Sequence, residues 1–76
     1  MDLQIKVTGY GNQIKTKLIN ITEIANMLNR DPNEIANYIS KKIGTIVDSE
    51  FNLKGSCDVK ELKNLLNQYI HETTLN

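Results

Sequence analysis

Apolar residues alternate with polar ones from Leu3 to Leu18, and from Ile21 onward they recur at helical spacing. That change of period constrains the fold more than any other feature of the chain. Leu3, Ile5 and Val7 fall on one side of an extended segment, while Asp2, Gln4 and Lys6 fall on the other, as in a half-buried strand. Gly9-Tyr10-Gly11-Asn12 then interrupts the pattern with residues that accept positive φ. Alternation resumes with Ile14, Thr16 and Leu18 against Lys15 and Lys17. Two such runs joined by a glycine-rich tip predict a β-hairpin.

Ile21, Ile24, Ala25 and Leu28 predict a first helix, with Asn20 or Thr22 as its cap. Asn29-Arg30-Asp31-Pro32 ends it. Proline suits the first turn of a second helix, Asp31 its N-cap, and Glu34 the far side of a capping box. That helix carries Ile35, Tyr38, Ile39 and Ile43, stops at Gly44, and places Lys41 and Lys42 where the helix dipole favours cations. Residues 45–47 and 51–53 predict two short strands around Asp48-Ser49-Glu50. A last helix, capped by Ser56 or Asp58, has its apolar stripe at Leu62, Leu65, Leu66, Tyr69 and Ile70, with fraying expected over about 72–76. The expected architecture is a single small α+β domain over residues 1–76. Its predicted order is β-β-α-α-β-β-α, with helices packed on a mostly antiparallel four-stranded sheet.

Seventy-six residues permit one domain, and one this small buries only about 60% of the surface its unfolded chain exposes. Nine basic residues balance nine acidic ones, so overall charge does not attract nucleic acid and any such contact needs a local patch. Cys57 is the only cysteine and His71 the only histidine. An internal disulfide and a cysteine-based zinc site within this chain are excluded, and neither a metal nor a cofactor is expected. No apolar run approaches the roughly 20 residues of a membrane span, and no signal-peptide pattern opens the chain. A cytoplasmic monomer without membrane association is expected. Cys57 and His71 stand in no nucleophile–base motif, and the carboxylates are scattered over caps and helix faces. Gly9-Tyr10-Gly11 lacks the spacing of a phosphate loop. No enzymatic activity is expected.

Two features can carry function. The hairpin tip offers lysines for phosphates (Lys6, Lys15, Lys17), an aromatic ring for stacking (Tyr10) and an amide for base or backbone contacts (Asn12). Taken alone, the same residues describe more readily an ordinary solvated hairpin with lysines on its wet face. The second feature is the helical pair across Asp31-Pro32, which has the outline of a helix-turn-helix followed by a short hairpin as a wing. A DNA-binding version would place Asn33, Glu34, Asn37 and Lys41 in a major groove. Asp31 and Glu34 at that helix start oppose phosphates, and two amphipathic helices on a sheet explain the pattern as well.

Gly9-Tyr10-Gly11-Asn12-Gln13-Ile14-Lys15-Thr16 resembles the GxGNxIKT loop of the eukaryotic translation initiation factor 5 family. Leu28-Asn29-Arg30-Asp31-Pro32, Ile43-Gly44-Thr45, Leu53-Lys54-Gly55 and the segment ending Tyr69-Ile70 follow in the order of the landmarks which that family shares with the beta subunit of initiation factor 2. The resemblance runs from about Leu3 to Ile70. It implies a module that sits near the decoding site once initiation factor 1 has left, binds the small ribosomal subunit with initiator tRNA and mRNA, and promotes start-codon recognition. The GTP-binding initiation factor 2 complex is a further implied partner. Lys6, Gly9, Gly11, Asn12 and Lys15 match the family's loop, and Tyr10 and Lys17 join them as expected RNA-binding residues. A protein-interaction module of the beta-subunit kind, using helix surfaces, stands as the alternative, followed by the DNA-binding one. The chain departs from the family at Asn37, where a basic residue is expected, and at Gln13, where a glycine is. The family's GTPase-activating arginine precedes the first strand and its zinc ribbon follows the last helix, so neither function is expected from these residues.

Overall fold

In the computed structural model, which describes residues 2–74, the alternating segments form two antiparallel strands, β1 (Ile5–Thr8) and β2 (Lys15–Leu18). Ile5 lies opposite Leu18 and Thr8 opposite Lys15, so Thr16 and Leu18 turn inward and Lys15 and Lys17 outward. Helices α1 (Ile21–Leu28) and α2 (Pro32–Ile43) follow, then β3 (Asn52–Lys54) and α3 (Val59–Thr74). The sheet is antiparallel in the order β1-β2-β3. Its inner face contributes Leu18 and Leu53 to a core shared with Ile21, Ile24, Ile35, Ile39, Leu62, Leu66 and Tyr69. The α+β class is as expected.

Among the described residues the sheet has three strands, not the expected four. Residues 45–47 do not form a strand, and only Val47 bridges to Leu53. The Ile46 carbonyl and the Asp48 N–H do bond to Lys54 and Asn52 of β3, each at 3.0 Å, but the Thr45 N–H completes the end of α2 by donating to the Ser40 carbonyl at 2.9 Å, so the pairing stops at a single bridge. Immediately after Val47 the chain reverses, with the Phe51 N–H donating to the Asp48 carbonyl and Phe51 itself at φ of +63°. Phe51 therefore belongs to the turn, and β3 begins one residue later than its apolar pattern suggests.

The helix ends follow local chemistry in part. The Asp31 carboxylate accepts from the Asn33 N–H at 2.9 Å, and Gly44 closes α2 at φ of +87°. Asp58, rather than Ser56, caps α3 by accepting from the Lys60 N–H at 3.0 Å. Asn20 precedes α1, but its side chain makes no cap bond there. It instead accepts from the Gln4 N–H at 2.8 Å and donates to the Asp2 carbonyl at 2.7 Å, pinning the segment ahead of β1. The capping box is also not made. Glu34 accepts from the Tyr69 hydroxyl and lies 3.8 Å from Arg30, joining α2 to α3.

The same seam keeps α3 helical to Thr74, past the point where fraying is expected; residues 75–76 of that expected tail lie outside the described residues. The Tyr38 hydroxyl donates to Glu72 at 2.7 Å, the Tyr38 and Tyr69 rings meet edge to face at 5.3 Å, and Lys42 sits 5.4 Å from the Tyr38 ring centre. Burial, followed by the hydrogen bond to Glu34, pushes the Tyr69 hydroxyl up to about 12 from its ordinary value of 10.0. A raised pKa means that the folded state favours the protonated phenol, so this contribution is complete below pH 10 and lost between 10 and about 12. Tyr69→Phe should flatten the alkaline limb of a stability–pH profile in that window, as followed by urea unfolding. Among the described residues, no helix is long and apolar enough to cross a membrane.

Candidate functional site

The tip is built by backbone geometry. Gly9 sits at φ of +93° and Gly11 at +52°, and residues Gly11–Gln13 wind into a 3₁₀ turn. The Gln13 N–H donates to the Tyr10 carbonyl at 2.8 Å, and the Gly55 N–H to the Ile14 carbonyl at 2.9 Å, tying the tip to the end of β3. The turn leaves the Tyr10 side chain 90% exposed, free to stack on a base. Asn12 and Lys15 line an open cleft of about 460 Å³ together with Ile46, Asp48, Asn52 and Lys54.

The register gathers the expected lysines. Lys6 lies opposite Lys17, and both share the outer face of the sheet with Lys15. Lys54, opposite Lys15, joins them and was missed as a site residue. The signal for it was present, since Asn52 and Lys54 flank the buried Leu53 in a period of two. Among the described residues, the one ion pair is Arg30–Glu34, so none of these four lysines is neutralised by a carboxylate contact. Asp48 interacts electrostatically with Lys15. Its carboxyl pKa is lowered from its ordinary value because it accepts from the Asn52 N–H, against some burial, with further bonds from the Asn52 amide and the Glu50 N–H and the charge of Lys15 assisting.

Thr16 stands in the familiar loop pattern yet is fully buried. Its hydroxyl donates to the Gly55 carbonyl at 2.7 Å and accepts from the Cys57 N–H at 3.1 Å. It fixes the hairpin root to the β3–α3 connection and cannot reach a ligand. Thr16→Val keeps the shape and strands both backbone partners, so it should cost about 1–3 kcal/mol in denaturant unfolding. Cys57, half-buried, acts here through its backbone. Among the described residues, no group of three or more His, Cys, Asp or Glu side chains is placed to hold a metal ion.

The residues of the helix-turn-helix reading are differently placed. Asn33, Glu34, Asn37 and Lys41 are all exposed on α2, but Glu34 is engaged by Tyr69 and Arg30 rather than free at the helix start. An acidic helix N-terminus tied into the neighbouring helix is poorly suited to a phosphate-lined groove.

Comparisons with known proteins give the family. The family described as a domain found in initiation factors 2B and 5 matches residues 1–74. The chain is 37% identical over 78 residues to eukaryotic translation initiation factor 5 of Drosophila melanogaster, covering 96% of this chain and 17% of that protein. The same factor from Dictyostelium discoideum is 32% identical over 76 residues, covering 96% of this chain and 19% of its own length. The factor from Mus musculus is 29% identical over 75 residues, covering 92% and 18% respectively. The chain thus spans less than a fifth of the curated relatives it matches. With its glycine-built tip, its α+β frame and a family match over almost all of its residues, the chain belongs to the family of domains found in initiation factors 2B and 5.

Proposed function

We propose that this domain is a translation initiation module that binds the small ribosomal subunit carrying initiator tRNA and mRNA, and promotes recognition of the start codon. The observation that carries the reading is the tip itself: two glycines at positive φ expose Tyr10 and place Asn12 beside Lys15 at the rim of an open cleft. Glycine lets backbone approach RNA closely, the amide of Asn12 both donates and accepts, and lysines meet phosphates. The chain acts by binding rather than by catalysis, in the cytoplasm, with the GTP-bound initiation factor 2 complex as a further partner. The relatives' names support the translation role, and exposed lysines that form no ion pair among the described residues support RNA as the ligand.

Affinity for small subunits loaded with mRNA and initiator tRNA, with and without competing initiation factor 1, tests this. Asn12→Ala/Lys15→Ala should weaken competitive binding at least tenfold, about 1.4 kcal/mol. Binding indifferent to those substitutions would sink the proposal.

One observation favours a second reading, in which helix surfaces dock on a protein of the initiation complex. Met27 is 66% exposed beside a groove of about 180 Å³ lined by Leu3, Ile24, Leu28 and Leu66. On that reading Met27→Asp abolishes binding while the tip substitutions are silent.

A further inference from the structure

The outer face of the sheet carries four lysines, and the strand register sets them against one another. Lys6 is directly opposite Lys17, and Lys15 directly opposite Lys54. Adjacent strands lie about 4.8 Å apart, and like charges placed directly across a sheet oppose folding. All four side chains are exposed, and among the described residues none has a carboxylate in ion-pair contact. A fold that keeps two repelling pairs on one face is complementary to an anion long enough to span both. The acidic turn at the neighbouring edge offsets this only in part. Asp48 is folded into its own turn by three hydrogen-bond donors, and Glu50 meets Lys17 through its backbone carbonyl at 3.4 Å.

Among the described residues the face also lacks aromatic rings. Thr8, Asn52 and Ile46 neighbour the lysines, and the exposed Tyr10 belongs to the tip. Sheets that grip unpaired bases use aromatic rings as stacking platforms. Lysines without rings hold phosphates and leave bases alone, which suits a strand whose bases are already paired. Lys15 and Lys54 are common to the tip cleft and to this face, so the two surfaces are continuous.

We infer that Lys54, with Lys6, Lys15 and Lys17, forms a phosphate-binding face for the backbone of a base-paired RNA stem, continuous with the tip. The inference rests on the reading of the tip as an RNA contact, and adds Lys54 and the stem to it.

The test is a titration of the whole chain with a fluorescent RNA stem-loop, and with an unstructured RNA of the same length, across a salt series. Lys54→Ala should weaken stem-loop binding about three- to tenfold and reduce the salt slope by about 0.9, the loss of one phosphate contact. Lys60→Ala, on exposed α3 surface, should change neither. Lys54→Glu converts the repulsion with Lys15 into attraction, so its Tm should rise by about 2–4 °C while stem binding falls. Opposite signs for stability and binding exclude misfolding as the cause. Lys54 variants with unchanged affinity and slope overturn the inference, as does equal Lys54 dependence for the unstructured RNA. If Lys54 is silent while Asn12→Ala/Lys15→Ala still weakens the loaded small subunit, the phosphate face falls and the tip reading survives. If both are silent, both fall.

Discussion

Gly9→Ala is expected to destabilise the domain by about 2–5 kcal/mol and to abolish tip-dependent binding. A Cβ on Gly9 would lie 2.2 Å from the Gln13 carbonyl oxygen and 2.9 Å from its carbon, distances that real side chains do not adopt. Both atoms are backbone, and the Gln13 N–H is itself held by Tyr10, so the 3₁₀ turn must open to make room. The backbone adds to the cost, because φ of +93° is unfavourable for an L residue by about 1–2 kcal/mol, and overpacking typically adds about 1–3. Gly11 provides the control. It has the milder φ of +52° and nothing within 4 Å of its added Cβ, so Gly11→Ala should cost about 1 kcal/mol. Urea unfolding of the two variants, with affinity for the loaded small subunit measured alongside, checks this. Equal losses at the two glycines would show that flexibility, not shape, is what the tip needs.

Ile39→Ala is expected to cost about 2–5 kcal/mol, a large share of the roughly 5–15 kcal/mol that holds a domain together. Ile39 is fully buried on α2, in the cluster that joins the sheet to the other helices, and removing its outer carbons leaves a cavity that surrounding groups cannot fill. Leu65 offers the comparison. It belongs to the same apolar stripe as Leu62 and Leu66, yet it is only half-buried at the margin of the core, so Leu65→Ala should cost less than half as much. Chemical denaturation of both variants decides it; comparable losses would mean that the α3 stripe is buried more evenly than the structure places it.

The hairpin, the three helices and most of their caps were legible because each follows from contacts within a few residues. The period of two over Leu3–Leu18 needs no knowledge of a partner, and neither does Asp31 before Pro32 or Gly44 after Ile43. The expected fourth strand is reduced to a single bridge by the chain on either side of it. Residues 45–47 have strand-forming side chains, but the end of α2 claims the Thr45 N–H and the 48–51 turn reverses the chain beyond Val47. Asn20 and Glu34 likewise have ideal cap chemistry and are taken by longer-range partners, Gln4 and Asp2 for one, Tyr69 for the other. A polar side chain goes to whichever donor or acceptor is buried and otherwise unsatisfied, and local spacing does not reveal that competition.

The candidate site divides in the same way. Glycines, an asparagine and alternating lysines already specified an exposed tip with a charged outer face, because turn chemistry and strand periodicity are local properties of the chain. That Thr16 is buried as the link between β2 and the Gly55–Cys57 connection, and not part of the binding surface, emerged only when residues 39 and 41 positions away came within hydrogen-bond distance. The place of Lys54 opposite Lys15 is likewise a matter of register between β2 and β3, which the two intervening helices conceal from the sequence. Local periodicity and turn residues thus determined which elements form and which faces are wet. Only the tertiary structure decided which charges share a face, because strand pairing across distant segments is set by burial of the whole core.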